Sequence, residues 1–484
     1  MKTKRIGVAV WFGMVLVLGL AWLPVTARAQ GIQVVYTFNT NNGPADPRGT
    51  LVVGPDGALY GTSVEGPNGL AGMTNSGTVF KTTTGGALTV LHNFTPVQLP
   101  YATNYEGANP FPGITFGPDG NIYGAAAGGG AYGYGTVYQL LTNGYTCSPL
   151  YTFTTIATPE GSLLVAADGS MLGTALNEGL LGGAVFGVTT NGGFAGVYTF
   201  QGFATLPESM DGADPQAGLI LGPDGNYYGT TSAGNGKGGN GSIYQLIPLG
   251  YTFGYSHKQL YDFSGSNAGL NPEDNLVVGP DANLYGTAEN GGTNGDGTVF
   301  RISTGGAFAA LYSFTGGNDG AHPWAGLLTG PDGDLYGTTL NGGAGGVGTV
   351  FQITTNGTLT TLFTFATTNG ANPYAGLTLG PDGYLYGVTS GGGTNNAGVI
   401  FRLVLPGNPG WHPRMIGATP SVSGWNVAAA NVPGSTNRLL ASSDLTLPLW
   451  QWQVVGTNVA DGNGQLQFTD TGGAGARFYR LAAP

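Results

Sequence analysis

Charged side chains are scarce in this sequence of 484 residues, because Asp, Glu, Lys and Arg make up only 8% of it while aromatic residues make up 11%. An intrinsically disordered chain has the opposite composition, charged and poor in aromatic residues, so that class is excluded. The 92 glycines follow no three-residue period, which excludes collagen. So many glycines indicate an all-β chain with tight turns between short strands.

Cysteine and histidine are also rare. Cys147 is the only cysteine, which excludes an intramolecular disulfide, and its strand-like phrase YTCSPLYTF indicates a buried small hydrophobe rather than a nucleophile. The sequence contains no Walker loop, dinucleotide fingerprint or nucleophile elbow. The four histidines are scattered, so the sequence predicts neither a metal site nor a cofactor.

Only one long apolar run is present, over residues 6–23. It follows a basic start and precedes the phrase ARA at 27–29, which is typical of a secretory signal peptide over residues 1–29. An uncleaved membrane anchor is the alternative, since 18 residues can just span a bilayer. Removing four basic residues with this leader moves the formal net charge from −11 to −15. A surface this acidic, without a basic patch, argues against nucleic acid as a partner, and the mature chain should contain no membrane span.

A nine-residue phrase occurs in seven related copies spaced 49–63 residues apart, one of which is GPDGDLYGT at 330–338. A period near 50 residues is typical of propellers and solenoids. Pro at the second place and Gly at the fourth predict a type I turn, in which the aspartate holds the backbone amides rather than a metal. The seven copies place an aspartate at Asp56, Asp119, Asp168, Asp224, Asp281, Asp332 and Asp382.

Each copy holds four short apolar segments, which in the sixth copy are AGLLTG, LYGTT, GTVFQIT and LTTLFTF. Their β-branched and aromatic residues predict strands, and their apolar character on both faces suits a blade packed between two others. We therefore predict a seven-bladed β-propeller over residues 30–404. The chain starts with a fourth-strand phrase at 32–38 and its last copy lacks one. We expect this N-terminal strand to pair with residues 398–404 and close the ring.

The pattern "GTVF…LTTLFTF…NGANPYAGLTLGPDGYLYGVTSGGG" resembles the GloVer repeat family, bacterial exported proteins with tandem repeats of this kind. The resemblance covers residues 32–404, and the third copy, AADGSMLGT, departs from it most. The resemblance implies export and a propeller. It carries over no catalytic residue, because no activity is established for the family.

The repeat phase ends at Leu405. Residues 405–414 are rich in Pro and Gly, which predicts a linker. Residues 415–484 show short alternating strands and predict a small β-sandwich-like C-terminal module, similar to the modules that often close exported bacterial repeat proteins. Attachment to an envelope or partner and an inert β module are both open at this point.

The loops that lead from one blade to the next contain the most informative variation. Frame residues recur there, while the residue after the loop proline changes from copy to copy, and variable positions on a rigid scaffold usually carry binding. Aromatic, Arg and Glu side chains in one frame suit sugars or peptides. The alternative is that the aromatic side chains merely plug the channel. The variable residues are Arg48, Phe111, Gln216, Glu273, Trp324 and Tyr374, of which Arg48, Phe111, Glu273, Trp324 and Tyr374 are our candidate ligand-binding residues.

Acidic residues also recur near these loops, at Glu106, Glu160, Asp211 and Asp319. Such residues can bind a cation or act as paired carboxylates in glycoside cleavage, but more commonly they stabilise a turn locally. The sequence thus favours a non-enzymatic, secreted or cell-surface protein, monomeric, that binds a glycan or a protein at one propeller face. A glycoside hydrolase or lyase at that face and a structural spacer are the alternatives.

Overall fold

In the computed structural model, all regular structure of the described residues apart from one 3₁₀ turn is β. The residues described are 31–404, except 41–42, 67–75, 99–100, 156, 177–181, 203–210 and 235–238, together with 414–421, 424–430, 436–442, 453–459, 465–470 and 478–482. The expected signal peptide and nearly all of the expected linker lie outside them. Within the described residues no helix has the length and apolarity needed to cross a membrane.

Residues 31–404 form seven four-stranded antiparallel sheets, the blades of a β-propeller. Blade one contains β2 (Val52–Val53), β3 (Leu59–Ser63), β4 (Thr78–Thr82) and β5 (Leu88–Asn93). Blade two contains β6 (Ile114–Phe116), β7 (Ile122–Ala126), β8 (Thr136–Leu140) and β9 (Cys147–Thr152). Blade three contains β10 (Leu164–Val165), β11 (Met171–Ala175), β12 (Ala184–Val188) and β13 (Phe194–Thr199).

Blade four contains β14 (Ile220–Leu221), β15 (Tyr227–Thr231), β16 (Ser242–Pro248) and β17 (Tyr255–Asp262). The 3₁₀ turn (Ser266–Ala268) leads to blade five, with β18 (Val277–Val278), β19 (Leu284–Ala288), β20 (Thr298–Ile302) and β21 (Phe308–Ser313). Blade six contains β22 (Leu328–Thr329), β23 (Leu335–Thr339), β24 (Thr349–Ile353) and β25 (Leu359–Thr364). Blade seven contains β26 (Thr378–Leu379), β27 (Leu385–Thr389) and β28 (Val399–Val404).

The fourth strand of blade seven is the N-terminal strand β1 (Gly31–Thr37). It pairs antiparallel with β28, with Ile32 opposite Leu403 and Thr37 opposite Val399. Blades seven and one are also joined at their inner ends, where the hydroxyl of Thr378 donates a hydrogen bond of 2.5 Å to the carbonyl of Leu51. The predicted closure of the ring is therefore confirmed.

Packing between blades supplies the core. Every residue of the second strand is buried in all seven blades, as expected for a sheet covered on both faces. The apolar clusters join neighbouring blades, and one of them combines Tyr285 and Val299 of blade five with Leu335 and Phe351 of blade six. The two-faced apolar character of the repeat thus serves the contact between blades.

The GPDG turn is held as the sequence predicted, with one further partner. In blade one, Oδ1 of Asp56 accepts a hydrogen bond from the amide of Ala58, and Oδ2 accepts one from the hydroxyl of Tyr60 at 3.0 Å. The ring of Tyr60 covers the first glycine of the phrase so closely that a Cβ on Gly54 would lie 2.2 Å from its Cε2. Gly, Asp and Tyr therefore form one fitted unit.

The third copy departs from this unit in a consistent way. Leu172 takes the place of the tyrosine and Ala166 takes the place of the covered glycine. Asp168 now accepts a hydrogen bond of 2.6 Å from the hydroxyl of Ser170. The blade keeps its four strands, so the changes in this copy compensate for one another.

In the C-terminal module, the described residues form six strands. They are β29 (Arg414–Ser421), β30 (Gly424–Ala430), β31 (Thr436–Ser442), β32 (Gln453–Val459), β33 (Gln465–Asp470) and β34 (Phe478–Ala482). They form two three-stranded sheets in the orders β29-β30-β33 and β32-β31-β34. The sheets meet where a Cβ on Gly456 would lie 3.6 Å from the ring of Phe468, which agrees with a sandwich-like module.

Candidate functional site

The residue before the loop proline adopts a left-handed conformation in six blades, with φ between 53° and 57°. Asn and Asp tolerate this conformation better than other non-glycine residues, which explains their frequency there. In blade seven the amide of Asn372 donates to Val347 of blade six, and its carbonyl accepts from the amide of Ser390. The residues concerned are Asp46, Asn109, Asp214, Asn271, His322 and Asn372.

The loop proline is buried against the preceding blade. Each one packs on the glycine that opens the GTVF phrase, and a Cβ on that glycine would lie only 2.4–2.9 Å from the proline Cδ. These glycines all have φ between 92° and 108°. The loop proline and the first glycine of the GTVF phrase therefore form one joint between neighbouring blades. The pairs are Pro47 with Gly398, Pro110 with Gly77, Pro159 with Gly135, Pro215 with Gly183, Pro272 with Gly241, Pro323 with Gly297 and Pro373 with Gly348.

The residues that follow these prolines line a single cavity. All five candidate residues from the sequence are among them, although they come from five different blades. The cavity has a volume of about 80 Å³. One water molecule needs ~10–15 Å³, so the cavity has room for a side chain or part of a sugar. The seven lining residues of this set are Arg48, Phe111, Glu160, Gln216, Glu273, Trp324 and Tyr374.

Glu160 is the member that sequence reasoning assigned elsewhere, to the loop acids. The loop of blade three is short, so Glu160 follows the loop proline Pro159 directly and also precedes a glycine. The structure places it in the cavity. The signal that could have found it is the proline immediately before it.

One wall of the cavity is aromatic and runs through blades six, seven, one and two. Trp324 contacts Tyr374 edge to face, with ring centroids 5.5 Å apart. The guanidinium carbon of Arg48 lies 4.8 Å from the ring centroid of Tyr374 and 5.8 Å from that of Phe111. All four side chains are half-buried. They pack on one another and leave the cavity open, so they fill the channel mouth only in part.

The charge of Arg48 is already paired. Its Nε donates to both carboxylate oxygens of Asp46, at 2.9 and 3.0 Å. Burial alone would lower the pKa of Arg48. The hydrogen bond to Asp46 and the negative charge of Asp46, with smaller contributions from Tyr374 and Glu65, outweigh burial and keep this pKa above its usual value. The aromatic wall therefore offers an incoming anion little uncompensated positive charge.

The opposite wall, in blades three to five, is acidic. Burial raises the pKa of Glu273 to about 8, and negative charge on Glu289, Glu160, Asp214 and Asp274 adds to the effect. Glu273 is thus protonated at neutral pH. Its Oε2 is buried without a hydrogen-bond partner among the described residues, as is Oδ1 of Asn275. A protonated carboxyl can donate and an amide oxygen accepts, so these two buried oxygens at one cavity require hydrogen-bond partners.

Hydrogen bonds between blades hold the residues that line the cavity. The amide nitrogen of the Asn275 side chain donates to the hydroxyl of Ser162 at 3.1 Å, which joins blades five and three directly. Gly218 of blade four lies against this contact, since a Cβ there would be 2.5 Å from the Ser162 oxygen. The amide of Gly326 donates to Asp274 at 2.8 Å, which joins blades six and five.

The other three loop acids stabilise the blade junctions. Asp211 accepts hydrogen bonds from the hydroxyl of Tyr198 at 2.6 Å and from the amide of Gln201 at 3.0 Å. Asp319 accepts in the same way from Tyr312 and Thr315. Glu106 accepts from the amide of Thr95 and contacts His92. None of the three lines the cavity. For Asp211 and Asp319 the contacts support the interpretation as turn-stabilising residues, while Glu106 keeps the amide contact and has a histidine in place of the tyrosine.

Several solved structures match this chain, with TM-scores below 0.5. PorZ, a surface component of the type-IX secretion system of Porphyromonas gingivalis, is 13% identical with a TM-score of 0.47, over 93% of this chain and 59% of PorZ. This chain therefore spans less than two thirds of PorZ. An oligogalacturonate lyase from Vibrio parahaemolyticus is 8% identical with a TM-score of 0.44, over 78% of this chain and 94% of the lyase. TolB from Acinetobacter baumannii is 15% identical with a TM-score of 0.34, over 72% of this chain and 80% of TolB.

The sequence matches no curated protein. It does match the family model of the Gloeobacter/Verrucomicrobia repeat, in three overlapping segments at residues 23–221, 157–316 and 215–410. Together these segments cover the seven blades and most of the sequence. The chain therefore belongs to the Gloeobacter/Verrucomicrobia repeat family, the GloVer family that its repeated phrases resemble.

Proposed function

We propose that the protein is an exported binding protein whose ligand enters the cavity lined by the seven residues after the loop prolines. The observation that carries this proposal is the convergence of the variable positions. The prolines and glycines that hold these positions recur, while the seven side chains differ, and all seven line the same cavity. A purely structural repeat has no reason to vary at one position of a constant frame.

The chemistry of the cavity favours a neutral or amino-bearing sugar. The Oδ1 of Asn275 needs a donor and the protonated carboxyl of Glu273 needs a hydrogen-bond partner. Sugar hydroxyls serve both, because they donate and accept, and an ammonium group can donate to Asn275. Trp324 and Tyr374 offer aromatic surface to a sugar ring. A uronate is disfavoured, because Arg48 is paired with Asp46 and the opposite wall is acidic. The small cavity suits the end of a chain rather than its middle.

The test is a panel of neutral, amino and uronic oligosaccharides, together with basic peptides, on the mature protein. We expect binding of a neutral or amino sugar that weakens roughly tenfold or more in the double variant Trp324→Ala/Tyr374→Ala, since each stacking ring contributes about 1 kcal/mol. Tyr251→Ala is the matched control, because Tyr251 is 68% exposed and lies outside the cavity.

Three other outcomes would contradict the proposal. Binding that the double variant leaves unchanged places the site elsewhere on the molecule. A basic peptide as the only ligand replaces the sugar with a protein partner. No binding at all favours a structural spacer.

A second candidate, cleavage of a glycosidic bond, is favoured by one observation. The pKa of Glu273 is raised to about 8, in part by negative charge on Glu160, which suits the general acid of a glycosidase, and Glu160 is a second carboxyl lining the same cavity. Under this function, a bound oligosaccharide is cut, and Glu273→Gln abolishes the cut while binding persists. Intact oligosaccharide after long incubation with the wild type rejects it.

A further inference from the structure

Three side chains of different chemistry meet at the junction of blades one and two, away from the cavity. His92 lies on β5, Cys147 on β9 and Glu106 in the loop between the blades. Their ligand atoms all lie within 4.8 Å of one another. The side chains of His92 and Glu106 are only 17% and 9% exposed, and Nε2 of His92 is 3.1 Å from Oε2 of Glu106. A nitrogen, an oxygen and a sulfur donor thus converge.

The other blades show which residues this junction ordinarily holds. The strand pairing assigns to each blade one residue equivalent to His92, and in the other six blades it is aromatic. These residues are Tyr36, Tyr151, Tyr198, Tyr261, Tyr312 and Phe363. The residues equivalent to Cys147 are bulky: Ile32, Leu88, Phe194, His257, Phe308 and Leu359. His92 and Cys147 are thus the two exceptions, and both lie at the junction of blades one and two.

Packing and turn geometry do not require these exceptions. Elsewhere a tyrosine hydroxyl and a backbone amide satisfy the loop acid, as at Tyr198 and Asp211. Glu106 keeps the amide contact, in which Thr95 donates to Oε1 at 2.6 Å. Its other oxygen, Oε2, faces His92. A tyrosine at position 92 would complete the frame, so the histidine and the cysteine serve something further.

We propose that His92, Glu106 and Cys147 bind a divalent transition-metal ion of the zinc type, with water as the fourth ligand. Imidazole, carboxylate and thiolate are the ligands that zinc takes in tetrahedral sites. The Thr95 amide fixes the carboxylate and leaves Oε2 as its ligand atom, as outer partners of metal ligands do. On binding, the sulfur–metal bond forms as the thiol proton leaves to water. The ion joins β5 of blade one to β9 of blade two.

The test is titration of the chelator-treated full chain with Co²⁺, followed by displacement with Zn²⁺. We expect the visible bands of tetrahedral cobalt and a near-ultraviolet thiolate-to-cobalt band, both of which zinc removes. Cys147→Ser should lose the near-ultraviolet band. His92→Tyr restores the residue of the other blades, so it should fold normally and bind the ion more weakly by roughly tenfold or more.

His257→Phe is the matched control, because His257 occupies the position of Cys147 at the junction of blades three and four. It should leave the cobalt spectrum unchanged. A thermal midpoint that zinc raises in the wild type and in His257→Phe, but not in His92→Tyr, would add support. The proposal is overturned if cobalt shows only its aqueous spectrum, or if the bands persist in Cys147→Ser.

Discussion

At the scale of single residues, the identity of one position in the repeat is set by the side chain that covers it. Gly330 lies under the ring of Tyr336, and a Cβ there would come within 2.5 Å of the ring carbon Cε2. In the third copy the covering residue is Leu172 and the covered residue is Ala166. The two positions therefore change together for a steric reason, since six copies pair a glycine with a tyrosine and the third pairs an alanine with a leucine.

This coupling predicts a non-additive double variant. Gly330→Ala should lower the free energy of unfolding by about 1–3 kcal/mol, because the added methyl group forces Tyr336 aside. In the Tyr336→Leu background, the same change should cost less than about 0.5 kcal/mol, as in the third copy. Urea unfolding of the four proteins measures the coupling. Equal costs in both backgrounds would contradict the steric account.

The pH dependence of stability should reveal Glu273. Its pKa is about 8 in the folded protein and near 4.5 without the shift, so between these values the folded state binds the extra proton. The free energy of unfolding therefore falls as pH rises from about 4.5 to 8. Glu273→Gln removes this fall and should be more stable than the wild type above pH 8, on the order of 3 kcal/mol.

Urea midpoints from pH 4 to pH 9 give the comparison. Gln216→Ala is a suitable control, because this cavity residue has no ionisable side chain and its substitution should leave the shape of the pH profile unchanged. Parallel profiles for the wild type and Glu273→Gln would show that Glu273 ionises in the ordinary range.

At the scale of elements, two joints hold the blades in a ring. The first is β1, which pairs with β28 along its length and covers an edge that would otherwise be free to pair with another chain. The second is the loop proline, which packs on the glycine of the preceding blade. The two joints lead to separate predictions.

Deleting residues 31–37 should strongly destabilise the propeller, because blade seven loses its outer strand and its contact with blade one. We expect a loss comparable to the ~5–15 kcal/mol that a folded domain typically possesses, together with aggregation through the exposed β28 edge. Thermal unfolding and light scattering measure both effects. A chain that starts at Gln30 and therefore keeps β1 is the control. A deletion that melts like the control would rule out this role for β1.

The proline joint predicts different costs for two glycines of one loop. Gly297→Ala should cost about 2–4 kcal/mol, because φ is 96° and the Cβ would lie 2.5 Å from Pro323. Gly295 has a similar φ of 91° but open space where a Cβ would lie, so Gly295→Ala should lower the free energy of unfolding by only about 1 kcal/mol. Chemical unfolding of both variants separates the contact from the backbone strain.

At the scale of the whole molecule, the period, the two-faced strands and the unpaired first strand were enough to predict seven blades and their closure. The five candidate residues were also recognisable, because variation at a fixed position of a repeat needs no structure to be seen. The contacts between residues of different blades were not predictable. Glu160 was missed because its loop is short, and the meeting of His92 with Cys147 depends on how neighbouring blades pack.

The division between propeller and C-terminal module predicts a result for the intact protein. The repeat phase ends at Leu405, and the segment up to Pro413 is rich in Pro and Gly. We expect limited proteolysis to cut within residues 405–413 and to release two fragments that keep their β circular dichroism. Resistance to cleavage there, or unfolding of either fragment after it, would show that the two parts depend on each other.

The joint of loop proline and glycine also bears on how such a protein changes over time. It holds the backbone on both sides of the cavity-lining residue through contacts that do not involve the side chain of that residue. Substitutions at these seven positions can therefore occur without disturbing the backbone that holds them, although neighbouring side chains such as Trp324 and Tyr374 contact each other. Under the proposed function, duplication of the repeat supplies the frame, and substitutions at these positions determine which ligand the cavity accepts.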